Sequence, residues 1–181
     1  MFDYINNWIL FKYHNVKKGK RIKIEGKINI FGKNIKIGDD VIIRSGKRQN
    51  PIDGGTYTCI CTFGKGKIDI GNNVGISNCQ ICSAEKIIIE DDVLIGGNTK
   101  IFDTDFHPIN AKNRKNCDID SIGKKPVIIK KGAFIGASSI ILKGVTIGEE
   151  SIIGAGSVVT KDIPRKEIWA GNPARFVKKI E

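Results

Sequence analysis

A six-residue repeat of aliphatic side chains runs through the second half of the chain. In "IIKKGAFIGASSIILKGVTIGEESIIGAGSVVTKDI", six consecutive anchors are spaced six apart. They are Ile129, Ile135, Ile141, Ile147, Ile153 and Val159. The residue four positions after each of the first five anchors is small or β-branched: Ala133, Ser139, Val145, Ser151 and Ser157. A period of six matches neither the turn of an α-helix nor the simple alternation of a strand.

The same repeat extends towards the N-terminus, where it is less regular. It passes through Ile89, Ile95 and Ile101, then Ile70 and Ile76, then Ile37 and Ile43. Such a period indicates short strands joined by tight corners, and three strands close one triangular coil of about 18 residues. We predict about five or six coils, stacked at the ~4.8 Å spacing of paired strands, with the anchors pointing inward. A β-sandwich or barrel would instead show turn signals every ~8 to 12 residues.

Two segments near the C-terminus resemble a known family. The units "IGAGSVVTKDIP" and "WAGNPARFV" are similar to those of the hexapeptide-repeat acyltransferases, in particular the sugar and polysaccharide O-acetyltransferases related to maltose and galactoside acetyltransferases. The resemblance covers about Ile22 to Ile180. It implies an all-β fold, a left-handed parallel β-helix, against the usual right-handed crossover rule. It also implies a homotrimer with active sites between neighbouring chains.

Interruptions of the repeat predict the organisation of the chain. We expect an N-terminal helical capping segment at 1–18, a β-helix domain at 19–163 with loops near 46–67 and 103–126, and a C-terminal extension at 164–181. The first interruption is rich in glycine and turn-forming residues, so it is either a loop or an imperfect coil. Asp53 and Tyr57 within it could bind sugar hydroxyls, or the segment could be a connection without chemistry.

The N-terminal segment has two interpretations. Ile5, Trp8 and Ile9 follow a near-helical spacing, so their side chains could pack on the open end of the coil stack. Alternatively the helix lies on a membrane surface and holds the protein near a lipid-linked glycan.

The second interruption contains one of only two histidines. Ile101 and Ile129 are 28 residues apart, which is not a multiple of six, so a segment must leave the coil and return. A loop longer than about 12 to 15 residues in a compact domain is usually functional or disordered. This one opens with "DTDFHP", in which Pro108 favours extended backbone at His107. The other histidine, His14, has no such context and is predicted to be a surface or packing residue.

The resemblance assigns a base to this loop. Transfer of an acetyl group from a thioester to an alcohol requires removal of the hydroxyl proton, and an imidazole with an ordinary pKa of about 6.5 can accept it near neutral pH. The resemblance implies that His107 is this general base and acts without an acyl-enzyme intermediate. Asp103 or Asp105 could orient the ring. The sequence does not choose between them.

The resemblance also assigns residues to the substrates, with acetyl-CoA as the acyl donor and no metal required. Two residues line the pantetheine groove through their backbone: Ala137 and Ala155. Four surround the nucleotide end, where cations meet phosphate: Thr160, Lys161, Arg175 and Lys178. Asn78 falls near a position that contacts the acceptor. Trp169 could either pack in the fold or stack on the cofactor.

Charge and cysteine content narrow the function classes. The net charge of +11 means either that lysines solvate exposed faces or that they attract a polyanion. We do not expect nucleic acid as a partner, because the lysines are not clustered with aromatic residues and no binding motif is present.

Five cysteines, an odd number, predict free thiols in a reducing compartment. The pair Cys79 and Cys82 lacks the second pair or nearby histidine that a zinc site needs.

The sequence therefore predicts an acetyl-CoA-dependent O-acetyltransferase that acts on a sugar or glycan hydroxyl in surface polysaccharide synthesis. The alternatives are N-acetylation of an amino sugar or nucleotide sugar, and a structural β-solenoid without activity. A carbonic anhydrase on the same fold would need three histidine ligands, and the chain has two. We expect a cytoplasmic protein, with peripheral association at the inner face of the membrane as an open alternative, because no apolar run reaches the ~18 to 20 residues of a membrane span.

Overall fold

The structure, a computed structural model, describes residues 2–50 and 56–181 and consists mainly of three parallel sheets. Sheet A contains β1 (Lys17–Lys18), β4 (Ile35–Ile37), β7 (Ile68–Ile70), β10 (Ile87–Ile89), β13 (Val127–Ile129) and β16 (Thr146–Ile147). Sheet B contains β2 (Lys23–Glu25), β5 (Ile42–Arg44), β8 (Gly75–Ser77), β11 (Leu94–Ile95), β14 (Phe134–Ile135), β17 (Ile152–Ile153), β19 (Glu167–Ala170) and β20 (Arg175–Lys179). Sheet C contains β3 (Asn29–Phe31), β6 (Cys59–Thr62), β9 (Gln80–Ser83), β12 (Lys100–Phe102), β15 (Ile140–Ile141) and β18 (Val158–Val159).

From β1 to β19 consecutive strands belong to different sheets, so the chain winds as a triangular prism. Each coil contributes one strand to sheet A, then one to sheet B, then one to sheet C, and β1 to β18 form six coils. The prediction of five or six coils is therefore confirmed. The prism has three long edges, which we name after the sheets they join: the A–B edge, the B–C edge and the C–A edge.

The predicted anchors form the core. In sheet B, for example, Ile76, Ile95, Ile135 and Ile153 are direct neighbours in successive strands. All of the anchors predicted from the six-residue repeat are buried, none with more than 3% of its surface exposed. Full burial of an isoleucine side chain contributes roughly 1.5–3 kcal/mol, so the repeated ladder is the main source of stability.

Small polar residues hold the corners together. The hydroxyl groups of Ser139 and Ser157 both donate to the carbonyl oxygen of Gly154, at 3.2 and 2.6 Å, and Ser151 donates to Pro164 O at 2.6 Å. All three serines are fully buried. A serine at a corner is therefore short enough to fit inside the prism, and it satisfies a carbonyl group that the sheets leave unpaired.

The N-terminal helix α1 (Phe2–Tyr13) covers the open end of the first coil, and of the three predicted residues Trp8 packs there while Ile5 and Ile9 do not. Phe11 is buried in the core and Trp8 packs against it, whereas Ile5 and Ile9 are 51% and 58% exposed. The prediction that Ile5 and Ile9 pack on the stack is therefore wrong. Asn7 fixes the helix, because its buried side-chain amide donates to Gly26 O at 2.8 Å and accepts from Ile28 N at 3.1 Å.

The C-terminal segment closes the other end of the prism. Strand β19 adds to sheet B, with Trp169 in register next to Ile153, and β20 folds back antiparallel to β19. Trp169 is only 8% exposed and belongs to the core cluster. Of the two roles considered for Trp169, the structure therefore shows packing.

The cysteines only partly follow the prediction. Cys61 and Cys82 are direct neighbours on β6 and β9 and form a disulfide, so the expectation that all five thiols are free is wrong for this pair. Cys59, Cys79 and Cys117 are free. Complete burial raises the pKa of the Cys79 thiol well above its ordinary value, so Cys79 is a neutral core side chain.

Among residues 2–50 and 56–181, no group of three or more His, Cys, Asp or Glu side chains is arranged to hold a metal ion. In the same ranges, no helix has the length and apolar character needed to cross a membrane.

Candidate active site

The second interruption is a single excursion from the C–A edge. Strand β12 ends at Phe102 and β13 begins at Val127, so residues 103–126 leave the coil, as predicted. The excursion contains the short helix α2 (Ala111–Lys115) and a 3-10 turn at Ile119–Ser121. Contacts within the excursion stabilise its conformation. The Asn110 side chain accepts a hydrogen bond from the backbone N–H of Lys112 at 2.9 Å, and an isolated antiparallel β-bridge pairs Thr104 with Lys124 at the base.

Asp103 anchors the start of the excursion. Its carboxylate is fully buried and accepts hydrogen bonds from Ser83 Oγ at 2.6 Å, Ala84 N at 2.7 Å and Glu85 N at 3.0 Å. Both carboxylate oxygens are occupied by donors from the preceding coil. Asp103 therefore joins two coils at the point where the chain leaves the prism.

Asp105 is held differently. Its Oδ1 accepts from Lys143 Nζ at 2.6 Å, and its backbone N–H donates to Gly123 O at 2.9 Å. Its Oδ2 is buried and has no hydrogen-bond donor among the described residues. A Cβ atom at Gly123 would lie 2.5 Å from this oxygen, so a larger residue at position 123 would displace the Asp105 carboxylate. A buried oxygen without a donor is uncommon, and here it is located two residues from His107.

The His107 ring lies outside the apolar interior. The residue is exposed, and its imidazole has no hydrogen-bond or ion-pair partner within the described part of the chain. The preceding residue, Phe106, has a positive φ of 61°, which is costly for a bulky side chain. Edge-on contacts of Phe106 with Phe102, at a centroid distance of 5.0 Å, and with Phe63, at 6.2 Å, hold it there. The backbone at Phe106 therefore turns His107 outward on the C–A edge.

The residues assigned to the pantetheine arm lie on the B–C edge. Ala137 and Ala155 follow β14 and β17 at equivalent positions of successive coils, and a Cβ at Gly136 would lie 2.5 Å from Ala155 N. The backbone N–H groups of Ala137 and Ala155 have no acceptor within the described residues. This edge is therefore smooth and carries unpaired N–H donors, an arrangement that suits a narrow amide-containing ligand.

The residues assigned to the nucleotide end surround the last coil. Thr160 and Lys161 follow β18 on the C–A edge, and Lys161 Nζ lies 5.0 Å from the centroid of the Trp169 ring. Arg175 and Lys178 are exposed on β20. The structure therefore places these four residues near the C-terminal end of the prism without joining them into one pocket.

Asn78 is committed to an internal contact. The residue is fully buried on the B–C edge, where its Oδ1 accepts from Gly46 N at 2.6 Å and its Nδ2 donates to Asn50 O at 3.1 Å. The contact with the acceptor predicted for Asn78 is therefore replaced, in this structure, by a role in holding the first interruption. That interruption is an imperfect coil, because it includes the regular strand β6. Tyr57 is exposed, while Asp53 lies outside the described residues.

The predicted site residues are divided between two edges of one chain. His107, Asp103, Asp105, Thr160 and Lys161 lie on the C–A edge, and Asn78, Ala137 and Ala155 lie on the B–C edge. The full width of sheet C separates these two edges. Sequence reasoning missed Lys143, Gly123 and Ser83, which have ordinary positions in the repeat and show their contacts only after folding.

Comparison with known proteins identifies the family. Residues 86–101 and 126–161 match a family model described as the hexapeptide repeat of succinyl-transferase. The structure is similar to the crystal structure of a maltose O-acetyltransferase from Clostridium difficile 630, with 30% sequence identity and a TM-score of 0.63 over 99% of this chain and 77% of that one. The chain belongs to the hexapeptide-repeat acyltransferase family. The predicted fold, a left-handed parallel β-helix, is thereby confirmed.

Two further acyltransferases are similar to this chain. The galactoside O-acetyltransferase of Escherichia coli K12 is 40% identical over 114 residues, which are 62% of this chain and 54% of that protein. AntD, an N-acyltransferase from Bacillus cereus in complex with dTDP and 3-hydroxybutyryl-CoA, is 27% identical with a TM-score of 0.73, over 97% of this chain and 88% of that one. The chain spans about half of the length of the first relatives that it matches by sequence.

Proposed function

We propose that this protein is an acetyl-CoA-dependent O-acetyltransferase that acetylates a sugar hydroxyl during surface polysaccharide synthesis in the cytoplasm. The observation that carries the proposal is His107: an exposed imidazole without a partner in the described residues, turned outward by Phe106 at the root of a long ordered excursion. A structural solenoid does not require such a residue. The related maltose and galactoside acetyltransferases support transfer to a sugar hydroxyl.

The His107 ring would act as the general base. As the acceptor oxygen attacks the carbonyl carbon of the thioester, the ring takes the hydroxyl proton; the carbon–sulfur bond then breaks, and the proton passes to the leaving thiolate. The product is the acetyl ester and the free thiol of coenzyme A. Asp105 supports this role better than Asp103, because Asp105 Oδ2 has no donor among the described residues, whereas both oxygens of Asp103 are occupied.

The acetyl-CoA donor would lie along the B–C edge of a neighbouring chain. The N–H groups of Ala137 and Ala155, which are unpaired within the described residues, fit the amide carbonyls of a pantetheine arm. Thr160 and Lys161 lie on the C–A edge, so they would reach the nucleotide end from the chain that carries His107, and Arg175 and Lys178 on β20 supply further cations. Sheet C separates this edge from His107 within one chain. A second chain must therefore bring a B–C edge to the His107 of the first, which supports a trimer with sites between chains.

The outer face of sheet B offers the surface for such assembly. Ile42, Leu94, Phe134 and Ile152 form a continuous outward row in register, with Gly75 between Ile42 and Leu94. Leu94 and Phe134 are 54% and 43% exposed in the single chain. A contiguous apolar row on a soluble protein typically marks an interface with another protein. Sheet B also borders the edge that carries Ala137 and Ala155.

We predict that Leu94→Glu disrupts the trimer. A charge placed in the centre of the apolar row would be buried without a partner on assembly, so the mass measured by light scattering should fall from three chains towards one. Ile128→Glu, an equally large change on the outer face of sheet A, is the matched control and should remain trimeric. If Leu94→Glu remains trimeric, then sheet B is not the interface.

We predict a smaller effect for Lys161 on donor binding. Because an exposed lysine contributes up to about 1 kcal/mol to an ion pair, Lys161→Gln should raise the KM for acetyl-CoA about three- to fivefold and leave the KM for the acceptor unchanged. Lys166→Gln, which removes a nearby lysine that already pairs with Glu150 at 3.5 Å, is the control. Equal KM values for acetyl-CoA in both variants would remove Lys161 from the donor site.

The proposed function is tested by offering the protein acetyl-CoA and a panel of sugars and amino sugars, and by measuring thiol release together with the mass of the product. An ester at a hydroxyl supports the proposal. An amide would instead support N-acetylation, the alternative that the likeness to an N-acyltransferase favours. Hydroxylamine separates the two, since it cleaves the ester and leaves the amide. Absence of any transfer, with the trimer intact, would favour a structural solenoid.

A further inference from the structure

Two adjoining depressions lie on the C–A edge, on the N-terminal side of His107. One is a cavity of about 340 Å3 that is lined largely by apolar side chains, including Phe63, Phe106, Ile119 and Ile122. The other is an open groove of about 770 Å3 that is lined by Lys65, Lys67, Lys86 and Lys124. The cavity and the groove share Ala84 and Lys124. A single ligand could therefore occupy both.

The groove is strongly positive. Its four lysines come from two successive C–A connections, Lys65 and Lys67 between β6 and β7 and Lys86 between β9 and β10, and from the base of the excursion. Among the described residues that line it, Glu85 is the one acidic residue. Elsewhere on the molecule, lysines such as Lys130 and Lys143 pair with carboxylates. None of the four groove lysines forms an ion pair within the described residues. Their charges are free to attract an anion.

The positive surface continues beyond the groove. A third depression of about 350 Å3 shares Asn34 and Lys67 with it and adds Lys17, Lys33 and Lys36, against the single carboxylate of Asp69. The lysines of the groove and of this third depression therefore form one positive stripe, which runs from the first coil to the excursion. The proposed donor residues lie on coils five and six and on β20, so the stripe lies on the opposite side of His107 along the prism axis.

The cavity supplies the complementary half of a binding site. Phe106 lines it and immediately precedes His107, so a group held in the cavity lies next to the proposed base. Aromatic rings offer flat apolar faces that suit the C–H face of a sugar ring. A cavity of about 340 Å3 is of a size suited to a small ligand such as one sugar residue.

We infer that the acceptor is a sugar linked to a diphosphate, with the diphosphate held by Lys65, Lys67, Lys86 and Lys124 and the sugar held in the adjoining cavity beside His107. This inference rests on the proposed acetyl transfer to a sugar and adds the class of acceptor. Lysines bind phosphate as point charges, so a groove with several of them fits two neighbouring phosphates better than a neutral glycan. Nucleotide-linked and polyprenyl-linked sugars both provide this chemistry.

The test is a binding measurement that does not depend on catalysis. Inorganic pyrophosphate is titrated into the full chain by calorimetry, with coenzyme A present at saturation so that the donor site is occupied. Wild type is compared with Lys65→Gln/Lys67→Gln/Lys86→Gln and with the control Lys20→Gln/Lys27→Gln/Lys179→Gln. The control removes the same charge at exposed lysines outside the groove.

We expect the groove variant to bind pyrophosphate at least about tenfold more weakly than wild type, and the control to stay within about twofold. Added salt should weaken binding to wild type more than binding to the groove variant, because screening acts on the same charges. Equal affinities of wild type and groove variant, or no binding to wild type, would overturn the inference.

Two further measurements identify the molecule that carries the diphosphate and separate the binding site from the proposed function. UDP in solution and a polyprenyl diphosphate in phosphatidylcholine vesicles are compared as competitors of pyrophosphate, and the stronger competitor identifies the carrier. Where acetylation is observed, the groove variant should raise the acceptor KM about tenfold without changing the KM for acetyl-CoA. Pyrophosphate binding that is lost in the groove variant supports the groove even if no sugar is acetylated. Equally efficient acetylation of a methyl glycoside and a sugar diphosphate would retain the enzyme and overturn the diphosphate site.

Discussion

His107→Ala should lower kcat/KM for acetyl transfer by about 10² to 10⁴-fold. This range is typical for removal of a positioned general base, and no other imidazole lies on the excursion. Because the His107 side chain is exposed and has no hydrogen-bond partner in the described residues, its removal should leave the melting temperature and the proposed trimer unchanged. The loss should appear in kcat at saturating acetyl-CoA, since the role proposed for His107 is to take the acceptor proton and not to bind the donor.

The second histidine provides a matched control for this experiment. His14 Nδ1 donates to Gly32 O at 2.8 Å, and the ring packs edge-on against Tyr13 at a centroid distance of 5.0 Å. Of the surface and packing roles that the sequence predicts for His14, these contacts show packing. His14→Ala should therefore lower stability slightly and leave kcat within about twofold. If His107→Ala retains the wild-type rate, or if both variants lose activity equally, then His107 is not the base.

The buried rows of aliphatic anchors could be predicted from the sequence, because their positions follow a local rule. In a triangular coil, every sixth side chain points to the axis, so the spacing of the isoleucines predicts both the fold and the residues of the core. The ends of the stack follow no such rule. At α1, the choice between the face with Trp8 and Phe11 and the face with Ile5 and Ile9 depends on the hydrogen bonds of Asn7 to the first coil. Those bonds join residues about 20 positions apart, and spacing does not reveal them.

The candidate site likewise has one part that the sequence predicts and another part that depends on contacts formed only after folding. The length of the second interruption, which breaks the six-residue repeat, was sufficient to select His107 as the candidate base. The two nearby aspartates were indistinguishable in sequence, because Asp103 and Asp105 share the same extended stretch. Their roles are separated by partners from other coils: Ser83 and two backbone N–H groups for Asp103, Lys143 for Asp105. Similarly, the burial of Asn78 results from the fold of the preceding interruption over it.

Asp103→Ala should destabilise the protein more than any other substitution at the excursion. It removes the fully buried acceptor that is shared by Ser83 Oγ and the N–H groups of Ala84 and Glu85. Loss of hydrogen bonds to a buried charge costs about 3 kcal/mol, which corresponds to a fall in melting temperature of about 6 to 12 °C for a chain of this size. Acetyl transfer should fall as well, because the base of the excursion positions His107.

Asp105→Ala distinguishes this structural role from a catalytic one. It removes a partly exposed ion pair with Lys143, so the free energy of unfolding should fall by no more than about 1 kcal/mol. If Asp105 orients the imidazole, kcat should nevertheless fall at least about tenfold with the acceptor KM unchanged. Melting curves and steady-state kinetics of both variants decide the assignment. A stable Asp103→Ala with a large loss of kcat, beside an active Asp105→Ala, would reverse the two roles and make Asp103 the residue that orients His107.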